Sequence, residues 1–115
     1  MKIYIAGTYS APTWKEKQIN TDKAIWAGIQ VMLKGHNPFI PHLTHYIDKM
    51  AYDKNIFISY DKWMEIDNEW LELCDAFLYL NSSKGANVEL EKAKKLDKII
   101  FYDLNEIPIL ISENI

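Results

Sequence analysis

Two carboxylates stand where helical periodicity puts apolar side chains. Over residues 61–75, Trp63, Ile66, Trp70, Leu71 and Cys74 recur on one helical stripe, and Asp67 falls inside that stripe between Trp63 and Trp70. Over residues 86–96, Ala86, Leu90, Ala93 and Leu96 form an inward face, and Glu89 lies on it. Burying an unpaired carboxylate is costly and raises its pKa. Each acid has a plain structural reading. Asp67 sits at the edge of its stripe or pairs with a lysine or a backbone cap. Glu89 lies early in its helix, where the dipole favours a negative charge. The dipole accounts for the presence of Glu89 but not for its inward direction. Both helices flank one apolar run, 76–80, and both acids point inward. Paired carboxylates around one pocket suit glycosidic-bond cleavage. In the retaining form, one attacks the anomeric carbon and the other handles the proton of the leaving group.

Other residues could complete such a site. Gly7-Thr8-Tyr9-Ser10 follows the first apolar run and offers a glycine for close backbone approach and three hydroxyls. Such a loop cradles a sugar or a phosphate, or is a simple tight turn. Tyr4 has the opposite strand parity to Ile3 and Ile5, so it faces a helix layer or sets its hydroxyl beside the pocket. His42 and His45, with His36 nearby, are too few for a metal centre and are expected over the pocket or in local caps. Cys74 is expected in the core, as are Trp26, Trp63 and Trp70, while Trp14 could stack on a base. Lys92, Lys94, Lys95 and Lys98 read as a solvated helix face.

The elements that position these residues alternate. Residues 2–6 read as a strand stopped by Gly7, and 18–33 as a helix stopped by Gly35. Residues 36–41 read as a short strand, confined to a sheet edge by its prolines. The stretch 42–59 is the least regular, of a length that is often functional or carries a short helix. A helix over 61–75, a strand over 76–80, a capping turn over 81–85, a helix over 86–96 and a strand over 98–102 follow. Residues 107–111 are a fifth strand or a packing arm. The pattern predicts a single α/β domain over 1–115, a doubly wound, Rossmann-like parallel sheet of 4–5 strands flanked by helices. In such sheets ligands bind at the carboxyl ends of the strands where strand order reverses, which selects 7–10 and 81–85.

Composition narrows the function classes. The chain has 115 residues, 49% hydrophobic and 25% charged, with a net charge of −3, an ordinary globular balance that argues against disorder. All 13 basic residues are lysines, which removes bidentate arginine clamps and argues against duplex nucleic acid as a partner. One cysteine allows no intrachain disulfide and suits a reducing compartment. The first apolar run is too short for a signal peptide or a spanning segment, so a soluble cytoplasmic protein without membrane association is expected. There is no GxGxxG and no Walker motif, and no cofactor is expected.

Three segments carry a resemblance: Ile3-Tyr4-Ile5-Ala6-Gly7-Thr8; Asp67-Asn68-Glu69-Trp70-Leu71 with Cys74-Asp75; and Ser83-Lys84-Gly85-Ala86-Asn87-Val88-Glu89-Leu90. Together they resemble the nucleoside 2-deoxyribosyltransferase-like superfamily, and within it the 2'-deoxynucleoside 5'-monophosphate N-glycosidases. The resemblance implies a doubly wound fold assembled as a homodimer or larger, acting on a small nucleoside or nucleotide. It implies Glu89 as nucleophile, Asp67 as the carboxylate assisting attack and departure of the base, and Tyr4 as the residue orienting Glu89. Gly7, Thr8, Tyr9, Ser10, His42, His45, Ser83, Gly85 and Asn87 are the residues expected to hold the substrate. The arginine that the family places after the first loop is absent, with Ser10 in its neighbourhood and Lys15 or Lys84 as substitute point charges. The expected reaction is base release. Deoxyribosyl transfer, NAD glycohydrolysis and a non-catalytic nucleotide-sensing module are the alternatives.

Overall fold

The computed structural model describes residues 1–110. Four strands form one all-parallel sheet in the order β2-β1-β3-β4: β1 (Lys2–Ala6), β2 (Asn37–Phe39), β3 (Ala76–Tyr79) and β4 (Ile99–Phe101). Ile3 pairs with Pro38 on one side and with Ala76 on the other, and Ala76 pairs in turn with Ile99. Pro38 lies on the edge strand, where its missing N–H costs no ladder bond.

Parallel strands need long crossovers, and the crossover helices cover both faces of the sheet. The helix α1 (Trp14–Leu33) packs Ala24, Ala27 and Val31 on Ile3, Ile5 and Leu78. The opposite face carries Tyr4, Ala6 and Phe77 under Leu71 of α3 (Tyr60–Leu73) and Ala86 and Ala93 of α4 (Lys84–Lys95). The strand parity of β1 thus sends Ile3 and Ile5 to one core and Tyr4 to the other. Between β2 and α3, a 3-10 turn over Pro41–Thr44 leads into α2 (His45–Asp53).

Local chemistry sets the helix ends. Thr13, Ser59 and Ser83 cap α1, α3 and α4, each accepting from the backbone N–H three residues on. After α1 the chain turns at Gly35 with φ of 91°, where a side chain would be strained and would meet Leu110.

Several expectations need correction. The helix α1 begins at Trp14 rather than residue 18, and α2 gives regular structure to part of 42–59. Trp26 is 59% exposed, because α1 buries the side bearing Ala24, Ala27, Gly28 and Val31. Trp70 is half exposed and stacks on Phe39 at 4.8 Å between ring centroids. The described part of 107–111 is a packing arm and not a strand. Ile107 enters the core and the Leu110 N–H donates to Lys34 O, while Ile111 lies outside the described residues. Among the described residues no helix is long and apolar enough to cross a membrane.

Candidate active site

A cavity of about 450 Å³ opens between the loop after β1 and the start of α4 after β3, with α3 as a further wall. It lies where strand order reverses, since the chain leaves β1 toward β2 on one side and leaves β3 toward β4 on the other. Its volume is that of a small-molecule site.

Glu89 reaches the cavity from the second turn of α4 and is only 6% exposed. Tyr4, fully buried in β1, donates its hydroxyl to Glu89 Oε2. The Tyr4 ring is stacked on Phe77 at 5.8 Å and lies 5.6 Å from Phe39, so packing on the sheet fixes the donor. Asp67 lines the cavity from α3, and its buried Oδ1 has no hydrogen-bond partner among the described residues.

Burial governs the titration of all three groups. It lifts the Asp67 carboxyl to about 7. It lifts Glu89 to about 8, opposed by the Tyr4 hydrogen bond and Lys92 and reinforced by the charge of Asp67. Tyr4 is pushed well above its ordinary range, by burial first and then by the two carboxylates, so it remains a donor. Two carboxylates in electrostatic contact titrate as a pair. When the pair holds one proton, the higher value of Glu89 puts that proton there in the empty site, while the Tyr4 donor favours the opposite arrangement, with Glu89 ionised and the proton on Asp67. The site then offers one ionised carboxylate and one carboxylic acid to the same ligand.

The loop after β1 is held from two sides. Asn81 Oδ1 accepts from the Thr8 N–H at 2.7 Å and from the Thr8 hydroxyl at 3.0 Å. A Cβ at Gly7 would stand 3.0 Å from Asn81 Oδ1 and 3.3 Å from Leu80 Cβ, tighter than most side-chain contacts, so glycine lets the loop lie close to Asn81. His42, 5% exposed, places Nε2 3.2 Å from both Gly7 O and Thr8 O. Burial lowers its pKa, and the neutral ring with a proton on Nε2 serves as the donor to this loop. Ser83 commits its hydroxyl oxygen to the Ala86 N–H while lining the cavity beside Gly85.

The cavity thus gathers Gly7, Thr8, Tyr9, Ser10, His42, Asp67, Ser83, Gly85 and Glu89. Tyr4 supports it from beneath. Three of the expected residues lie outside the lining. His45 is buried behind Tyr9, outside the lining, because it bonds Tyr9 and Gln18. Asn87 is exposed and bonds the Tyr79 and Ser82 hydroxyls. Trp14 lies against Tyr52, His45 and the Lys17 ammonium rather than in the cavity. The lining lysines are Lys17 and Lys84, not Lys15.

Sequence reasoning missed Lys17, Asp48, Phe57 and Tyr60, which also line the cavity. Asp48 follows His45 by one helical turn, and that spacing was the available signal. Among the described residues no cluster of three or more His, Cys, Asp or Glu side chains is placed to hold a metal.

No curated protein matches the chain. Residues 1–103 match the family described as Domain of unknown function (DUF7768), and the chain belongs to that family.

Proposed function

We propose that the protein is an N-glycosidase that cleaves the base–sugar bond of a nucleoside or nucleotide. The observation that carries this reading is the buried Glu89 carboxyl, held by the Tyr4 hydroxyl and facing one cavity with Asp67. Structural ion pairs also perturb carboxylates, but here neither acid has a salt-bridge partner among the described residues. The resemblance to the deoxynucleotide N-glycosidases supports the same assignment.

In the arrangement that the Tyr4 donor favours, with the shared proton on Asp67, Glu89 attacks C1' of the sugar. The C1'–N bond breaks, its electron pair leaves with the base, and Asp67 delivers its proton to the base. Asp67, now ionised, takes a proton from water. That water attacks C1' and frees Glu89, and the proton stays on Asp67 for the next cycle.

Lys84 sits at the start of α4, beside the Ser83 cap, and has no salt-bridge partner among the described residues. It is the cation for a 5'-phosphate, acting as a point charge and not as a fork. We further propose that the protein works in the cytoplasm as a homodimer or larger.

The test is chromatographic detection of free base. Deoxy- and ribonucleosides, their 5'-monophosphates and NAD are incubated with the wild type and with Glu89→Gln. Release by the wild type alone is expected. Release that survives Glu89→Gln removes Glu89 as nucleophile, and no release from the panel, with or without an acceptor base, rejects the enzyme reading.

A further inference from the structure

A second polar cluster lines the same cavity and takes no part in the Tyr4–Glu89–Asp67 arrangement. It joins the loop after β1, α1 and α2. The Tyr9 hydroxyl lies 2.9 Å from Asp48 Oδ2 and 2.9 Å from His45 Nδ1. Gln18 Oε1 only accepts and burial keeps His45 neutral, so the ring carries its proton on Nε2, and its bare Nδ1 shares the single Tyr9 hydroxyl hydrogen with Asp48 Oδ2. His45 is anchored at its other nitrogen, 3.0 Å from Gln18 Oε1. Lys17 Nζ stands 3.8 Å from Asp48 Oδ2 and 4.1 Å over the Trp14 ring.

Oδ2 of Asp48 is therefore committed to Tyr9 and Lys17, whereas Oδ1 makes no hydrogen bond among the described residues. The wall of the cavity presents a fixed carboxylate acceptor beside an ammonium donor. Pro41, Phe57 and Ile58 line the same cavity and supply apolar surface. A flat heteroaromatic ring needs this combination, with apolar contact on its faces and a donor–acceptor pair at its edge. A phosphate fits poorly, because it would meet the Asp48 charge.

We propose that Lys17 and Asp48 form a base-reading subsite for a leaving base that carries a ring N–H beside a carbonyl, as uracil, thymine, hypoxanthine and guanine do. The description of that ligand as a leaving base rests on the N-glycosidase reading. The ring N–H donates to Asp48 Oδ1 and the carbonyl accepts from Lys17 Nζ. When the C1'–N bond breaks, its electron pair delocalises into the ring and onto the carbonyl oxygen that faces the ammonium. Lys17 and Asp48 contact the ligand. Tyr9 and His45 are positioning residues that hold the carboxylate.

The test is calorimetric binding of 1-methyluracil and 9-methylhypoxanthine, in which a methyl blocks the glycosidic nitrogen, of their further N3-methyl and N1-methyl derivatives, and of 1-methylcytosine and 9-methyladenine, to the wild type and to Asp48→Asn. Base release from nucleosides is measured in parallel. 1-Methyluracil and 9-methylhypoxanthine are expected to bind on the order of tenfold or more tightly than their N3-methyl and N1-methyl derivatives, with the difference lost in Asp48→Asn. The N3-methyl and N1-methyl probes keep the test valid even where the variant fails to fold. Equal binding of the parent bases and these derivatives overturns the subsite, as does a preference for 1-methylcytosine and 9-methyladenine, or no base binding at all. N–H-dependent binding without release from any nucleoside sustains the subsite and rejects the glycosidase. Release without N–H discrimination does the reverse.

Discussion

Replacing Glu89 by Gln should abolish turnover and, at alkaline pH, stabilise the fold. A carboxyl whose folded pKa is raised above its unfolded value binds more protons folded than unfolded. Its contribution is therefore most favourable below the unfolded pKa and is lost as pH rises through the folded one. For Glu89 that window runs from 4.5 to about 8. At about 1.4 kcal/mol per pH unit, the interval sets a ceiling of about 5 kcal/mol on the cost of ionising Glu89 in place. Local relaxation and water entering the cavity reduce such penalties, so a stabilisation of about 2–3 kcal/mol at pH 9 is expected for Glu89→Gln. At pH 4 the carboxyl is largely protonated in both states, and the two proteins should then differ by less than about 1 kcal/mol. The amide keeps an acceptor for the Tyr4 hydroxyl and nearly the same volume. Urea denaturation of both proteins between pH 4 and 9, with activity measured on the same samples, tests this directly. Parallel stability profiles would refute the reasoning, because Glu89 would then ionise as easily in the fold as in the unfolded chain.

Four further outcomes follow from the same geometry. The pH dependence of kcat/KM should be bell-shaped with limbs near 7 and 8, and Asp67→Asn should remove one limb and lower the rate by about 10²–10⁴-fold. An unchanged profile takes Asp67 out of the mechanism. Tyr4→Phe keeps the stack on Phe77 but removes the donor to Glu89, so carboxylate titrations by NMR should show Glu89 still higher and steady-state assays should show slower turnover. Asn81→Ala frees the Thr8 N–H and leaves the Thr8 hydroxyl only the Ser82 carbonyl, so KM should rise about three- to tenfold with a smaller change in kcat. Gly28→Ala places a Cβ 2.3 Å from Ile40 Cδ1 and 2.9 Å from Ile40 Cγ1 and should cost about 1–3 kcal/mol, read from the denaturation midpoint.

The carboxylate pair was legible in the sequence because it broke a pattern that the sequence also contained. Asp67 and Glu89 interrupt apolar faces of helical period, and the run between them is too short and too apolar for anything but a buried strand. Tyr4 was legible as a parity exception in β1. The start of α1 carried a signal in Thr13 and Glu16, an N-cap spaced from an acid as in a capping box, but residues 14–17 add nothing to the apolar stripe. The helix α2 was hidden for a different reason. Its outer face carries Tyr46, Ile47 and Met50, each at least half exposed, so hydrophobicity does not mark the buried side. The contact of Tyr9 with Asp48 joins residues 39 positions apart through tertiary packing, and local pattern carries no trace of it.

The two halves of the cavity are built on parts of the fold with different mechanical character. Tyr4 and Glu89 come from a central strand and from a helix packed on it, and Tyr4 is fully buried, stacked on Phe77 and in tilted contact with Phe39. Such a frame resists displacement, which the proposed nucleophile needs because small errors in attack geometry cost large factors in rate. Lys17, Asp48 and Tyr9 come instead from a loop and from two helices that meet at the cavity rim. Their positions depend on one hydrogen-bonded chain from Gln18 through His45 and Tyr9 to Asp48. A substitution in that chain re-aims the acceptor without disturbing the sheet. On the proposed N-glycosidase reading, substrate choice changes through α2 and the first loop while Glu89, Asp67 and Tyr4 stay fixed, and substitutions at the two ends should combine additively in ΔΔG‡ unless the base itself couples them.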